Sequence, residues 1–285
     1  MAQYRTTRGL QNEAQRAAGE AAQHPWVKIL ARVGLAAIGM VYILVGALAL
    51  QLAMGSGGEG APDKEMALQQ IQEAPLGRFI LGLIALGLLG YLVWRLTEAI
   101  ADTEGEGNEP KGLGKRAGHA IGGLVYGGFG LQAALMAFGT GSGGGSGQQE
   151  WTARLMSLPL GRWLVGLAGL CVIGYGVYQF YEAWKQIYRE RLSYNQMSAT
   201  ERRWIDPLSK IGLVAHGIVL GLIGIFVILA AYRFNPEEAQ GLSGALNEIA
   251  RQPFGPWLLG LVAIGLACYG VNKLAEGRYH RVLAR

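Results

Sequence analysis

Six stretches of the chain run apolar with almost no charge: Val33–Met54, Phe79–Trp94, Ala117–Phe138, Trp163–Tyr181, Ile211–Tyr232 and Trp257–Val271. The apolar residues go all round each predicted helix instead of striping one face, the pattern of a helix in hydrocarbon. With its flanks each run reaches about 20 residues, enough to cross a hydrocarbon layer of roughly 30 Å. A shorter mixed segment lies between the members of each pair: Met66–Glu73, Trp151–Leu158 and Leu242–Ile249. Leu68 and Ile71 in the first, and Leu242, Leu246 and Ile249 in the third, fall at helical spacing. These segments are predicted to be short helices lying in the headgroup plane with the apolar face down. A Pro-x-Gly turn follows each one, where proline stops the helix and redirects the chain.

The pattern is written three times. Pro75-Leu76-Gly77-Arg78, Pro159-Leu160-Gly161-Arg162 and Pro253-Phe254-Gly255-Pro256 each open an apolar run. Those runs close on Tyr91 and Glu98, Tyr175 and Glu182, and Tyr269 and Glu276, at offsets of 84 and 94 residues. Gly34, Gly118 and Gly212 keep the same offsets, each two residues after a cation: Arg32, Arg116 and Lys210. One unit of two apolar helices has been copied in tandem. The expected organisation is a polar segment over 1–25 and repeats over 26–102, 113–191 and 205–281. The expected fold is an all-α integral membrane protein, six transmembrane helices forming three hairpins in a pseudo-threefold arrangement. Small residues on both odd and even spans favour such closed packing, because lipid supplies no hydrophobic force between helices.

Charge sets the orientation. Charged residues are 16% of the chain and mean hydropathy is +0.23, against roughly 25% charged in ordinary soluble proteins. Lys and Arg number 19 on the side of the two chain ends and 6 in the three opposite loops. By the positive-inside rule this predicts a multi-pass inner (plasma) membrane protein with both termini cytoplasmic. The first 25 residues lack the apolar core of a cleaved signal. The net charge of +5 then reflects orientation and anionic headgroups, and no nucleic-acid partner is expected. Cys171 and Cys268 replace small residues of other copies, so each is expected to be a packing residue. Gly139–Gly147 contains a formal G-x-G-x-x-G, but it follows a membrane helix where a dinucleotide fingerprint needs a strand.

The sharpest constellation is Glu98, Glu182 and Glu276, each at the cytoplasmic end of an even span. A carboxylate there faces the negative end of the helix dipole, so a compensating partner is expected. Arg32, Arg116 and Lys210 sit at the same depth, which suggests the cross-helix pairs Arg32–Glu98, Arg116–Glu182 and Lys210–Glu276. The local pairs Arg95–Glu98 and Lys273–Glu276 compete with them. The readings left open are a structural clamp, a carboxylate ring at the mouth of a cation or proton path, and a site for a partner or headgroup. Tyr91, Tyr175 and Tyr269, with Tyr42 and Tyr126, are candidate intramembrane hydrogen-bonding groups. His119 and His216, the histidines of the spans, are expected to make interhelical hydrogen bonds. No metal, cofactor or catalytic constellation is evident, and enzyme activity is not expected.

The Pro-x-Gly-Arg turn leading into a Gly-rich helix that ends Gly-Tyr, with a Glu seven residues on, resembles the bacterial membrane family known as domain of unknown function 1206. The match runs from about Trp26 to Arg281, with a weaker third copy in which Pro256 replaces Arg and Cys268 replaces Gly. The resemblance implies a six-helix inner-membrane protein of three repeats and lends no activity or site residue. The expected role is a non-enzymatic accessory or scaffold protein whose partners are the lipid bilayer and other membrane subunits. The alternatives are a small channel or transporter for a cation, proton or small solute, and a haem- or quinone-binding redox subunit.

Overall fold

The computed structural model describes residues 25–56, 61–102, 107, 109–140, 147–192 and 196–279. The polar segment at 1–24 and residues 141–146 of the Gly-rich linker lie outside the described residues. Six long helices carry the apolar runs: α1 (Pro25–Ala53), α3 (Gly77–Ala101), α4 (Pro110–Ala137), α6 (Gly161–Lys185), α8 (Ala199–Arg233) and α10 (Gly255–Tyr279). Each is long and apolar enough to cross a membrane. The three mixed segments are helical as expected: α2 (Lys64–Glu73), α5 (Gly147–Met156) and α9 (Leu242–Arg251). A single turn, α7 (Tyr188–Arg191), follows α6.

The Pro-x-Gly turn has one geometry in all three copies. Gly77, Gly161 and Gly255 donate N–H to the carbonyls of Ala74, Leu158 and Gln252 at 2.8, 2.9 and 2.8 Å. The residue between proline and glycine is left-handed, with φ of 61° at Leu76, 64° at Leu160 and 63° at Phe254. That is a type II turn, which favours Pro at its second position and needs a positive φ at its third. The following glycine is required for space. A Cβ on Gly77, Gly161 or Gly255 would overlap the carbonyl oxygen of Ile71, Leu155 or Ala250.

At 35 residues α8 spans about 52 Å at 1.5 Å per residue, so it extends beyond the hydrocarbon. Ser198 caps it. Its hydroxyl accepts from Glu201 N at 3.2 Å, while the Glu201 carboxylate accepts from Ser198 N at 2.8 Å. This reciprocal box fixes the helix start six residues before the boundary read at 205. Ser198→Ala is expected to lower stability by about 1 kcal/mol, measurable as a fall in thermal midpoint in detergent, while Ser198→Asp retains it.

The long helices form a curved row. α4 packs on α3, α3 on α1, α1 on α10, α10 on α8 and α8 on α6. The first and last repeats therefore meet through α1 and α10, where Gly39 lies against Gly270 and Gly46 against Ala263 and Ala267. Tyr42 of α1 lies at the inside of the curve and touches residues of α4, α8 and α10. The two helices at the ends of the row, α4 and α6, belong to the same repeat, yet they share no such interface.

Candidate functional site

Each even span carries a ladder at i, i+4 and i+7 that faces the inside of the row. In α3 it is Tyr91, Arg95 and Glu98; in α6 Tyr175, Gln179 and Glu182; in α10 Tyr269, Lys273 and Glu276. Arg95 donates Nε–H to the Tyr91 hydroxyl at 2.9 Å and Nη1–H to Glu98 at 2.7 Å. Lys273 donates to Glu276 at 2.7 Å, and Asn272 adds a 3.3 Å bond to the same carboxylate. All three glutamates are buried.

This corrects two of the cross-helix pairs suggested by depth. Glu98 and Glu276 are held by cations three residues earlier on their own helices, not by Arg32 and Lys210. A partner on the same helix needs no second backbone to be brought into register, and that local geometry wins. Arg32 is exposed. Arg116 donates to the carbonyls of Ala99 and Ile100 at 2.7 and 3.0 Å, covering acceptors that the end of α3 leaves open. His119 approaches Glu98 at 3.7 Å from α4.

The middle ladder differs because glutamine replaces the cation, and Gln179 bonds elsewhere. Its amide lies 2.8–3.0 Å from Nδ1 of His216, whose Nε2 is 2.9 Å from the Tyr42 hydroxyl. The Tyr126 hydroxyl lies 3.5 Å from that of Tyr42. Tyr269 stacks on the imidazole with centroids 4.0 Å apart and planes within 7°. Five helices, α1, α4, α6, α8 and α10, thus meet at one polar centre. If Tyr42 donates to Nε2, the imidazole carries its proton on Nδ1 and gives it to the Gln179 carbonyl, so both ring nitrogens have a partner in one consistent tautomer. His216 makes the interhelical bonds expected of it. Gln179 was missed by sequence reasoning, although its alignment with Arg95 and Lys273 at the 84 and 94 offsets marks it.

A second unforeseen group is Lys64, at the first turn of α2. Its ammonium lies 5.1 Å from the ring centroid of Tyr42, 4.7 Å from Tyr126 and 4.7 Å from Phe129. Tyr42 is eleven residues short of the end of α1, about 16 Å along the helix. The lysine therefore reaches well into the bundle.

The open side of this centre lies between α4 and α6. In the first repeat a Cβ on Gly34 would sit 2.6 Å from the Gly87 carbonyl and from Tyr91 Cβ. In the third, a Cβ on Gly212 would overlap the Tyr269 backbone. In the second, the equivalent Gly118 has nothing within 4 Å, and neither do Gly114, Gly122 and Gly174. Exposure follows the same division. Val41 and Val219 are 6% and 1% exposed but Val125 is 50%. Tyr91 and Tyr269 are 7% and 3% exposed but Tyr175 is 51%.

The cause is legible in two residues. Where the two helices of a hairpin cross, Ala37 meets Gly87 in the first repeat and Ala215 meets Gly265 in the third. The equivalent positions of the middle repeat hold Ile121 and Cys171, both exposed. A sec-butyl group and a thiol cannot share a gap that elsewhere admits one methyl against bare backbone, so the middle hairpin stays apart.

The family model described as Domain of Unknown Function (DUF1206) matches three times, at residues 33–102, 117–186 and 211–280. The chain belongs to the DUF1206 family. The three DUF1206 matches coincide with the three hairpins, and each carries one complete ladder. An uncharacterized protein of Bacillus subtilis (strain 168), YxxB, is 35% identical over 258 residues, covering 90% of this chain and 93% of that protein. No solved structure matches the chain.

Proposed function

We propose that this chain is a non-enzymatic accessory subunit of the bacterial plasma membrane, with both termini cytoplasmic, whose α4–α6 opening receives a transmembrane helix of a partner protein. The observation that carries the reading is the open seam between α4 and α6, where Ile121 and Cys171 stand in place of the small residues of the two closed seams. In the two equivalent seams the helices of one hairpin pack directly on each other over small residues. The open one offers Gly118, Gly122 and Gly174 for the close backbone approach that drives association in lipid. Tyr175, Tyr178 and Tyr181 are exposed along α6, and aromatic residues are enriched where proteins meet. The cytoplasmic termini rest on the 19 to 6 division of Lys and Arg. Against a conducting path stands the centre itself, where Tyr42, Gln179 and His216 are buried and bonded to one another.

The test places a photo-crosslinking amino acid at Tyr175 in the native membrane. An adduct that maps to a membrane-spanning peptide of another protein, and that disappears in the seam-closing variant Ile121→Ala/Cys171→Gly, supports the proposal. Adducts with lipid alone, with a second copy of this chain, or indifferent to the closing variant overturn it.

A further inference from the structure

We infer that Tyr42, Tyr126 and Phe129 form a binding site for a small organic ammonium group, and that Lys64 is a tethered occupant of that site. On a short helix at a membrane surface, Lys64 could extend its ammonium to water and leave only its methylenes against lipid. It turns inward instead and sits within about 5 Å of three ring faces contributed by α1 and α4. A cation inside a bundle must recover its lost hydration. Here ring faces supply part of that compensation, and attraction to their quadrupoles is strongest when the cation is desolvated.

Three aromatic faces around one ammonium are the recognition device used for alkylated ammonium ions. Ile38, Val41, Leu68 and Leu88 line the same spot as the cage and the lysine, so an alkylated ammonium that took the place of the Lys64 side chain would meet apolar walls. The occupant is also removable in principle. Lys64 belongs to the first turn of α2, which Asp63 caps by accepting from Met66 N at 2.8 Å. The cap uses backbone and the Asp63 side chain, so the lysine side chain can leave while the helix remains. A free ligand must therefore compete with a covalently attached one, which makes α2 a built-in attenuator of affinity. The shared ligand chemistry is an ammonium bearing one or more alkyl groups, carried either by a free amine or by a zwitterionic lipid headgroup.

The test uses the full chain purified in a maltoside detergent and titrated with tetramethylammonium chloride, followed by calorimetry. Sodium chloride and neutral 3,3-dimethylbutanol serve as controls. Lys64→Gln is expected to bind tetramethylammonium at least ten-fold tighter than the wild type. Adding Phe129→Leu to Lys64→Gln is expected to lose at least ten-fold. In nanodiscs, selective retention of phosphatidylethanolamine over phosphatidylglycerol by Lys64→Gln would assign the lipid source. Tetramethylammonium binding without that selectivity would assign the free amine. A second measurement needs no variant fold. Reductive 13C-methylation of the wild type is expected to give one dimethyl-lysine resonance shifted upfield by the rings, moving to the solvent position as tetramethylammonium is added. Binding by Lys64→Gln no tighter than the wild type, equal binding of the neutral alcohol, indifference to Phe129→Leu, or no ring-shifted resonance would each overturn the inference.

Discussion

Gly212→Ala is expected to destabilise the folded protein by about 3 kcal/mol, whereas Gly118→Ala, the same change at the equivalent place in the middle repeat, leaves the thermal midpoint unchanged or raised. The two glycines share a motif, a preceding cation and a depth in the bundle. They differ only in what faces them. A methyl on Gly212 enters the backbone of Tyr269, so α8 and α10 must separate along the seam that holds the last repeat together. A methyl on Gly118 meets open space, and alanine is the better helix former by up to about 1 kcal/mol. Thermal denaturation in detergent, followed by intrinsic fluorescence, compares the two. Equal losses at both positions would show that the middle seam is packed like its neighbours, and the accessory-subunit reading would go with it.

The second large effect concerns the buried pair on α10. Lys273→Met is expected to cost about 3–5 kcal/mol, because it leaves the Glu276 carboxylate in the interior without its cation. Lys273 and Glu276 are 8% and 2% exposed, so water cannot take over the missing contact. The double change Lys273→Met/Glu276→Leu should recover most of the loss, since replacing both members of a buried pair by apolar groups is often neutral or stabilising. Recovery identifies the pair as a structural clamp. Failure of the double variant to recover would indicate that the carboxylate has a further role that leucine cannot fill. Asn272 marks where to look, because its Oδ1 is buried and has no hydrogen-bond partner among the described residues.

How much could be read from the sequence depends on the range over which each feature is determined. The turns were legible because a type II turn is local: proline fixes one torsion, the next residue goes left-handed, and the glycine after it has no room for a side chain. The six spans and three short helices were legible for the same reason, since hydropathy acts residue by residue. The order of packing was not. It turns on Ile121 and Cys171, visible in the aligned repeats only as slightly larger residues, whose effect depends on which helix faces which. Matching ends by depth joined Arg32 to Glu98 and Lys210 to Glu276 and undervalued the cation three residues away. Lys64 read as one more loop charge until the first turn of α2 was seen to lie over Tyr42 and Tyr126.

The contact of α1 with α10 also dictates a timetable. A flank of α1, including Gly39 and Gly46, can be covered only after α10 has been made. Between the end of α1 and the end of α10 lie 226 residues, and synthesis at about 5–20 residues per second implies a wait of roughly 10–45 s. Through that interval a ribosome-bound nascent chain presents bare glycine backbone to lipid or to a membrane chaperone. This seam cannot close until α10 has emerged, so a truncation that removes α10 leaves that flank of α1 exposed.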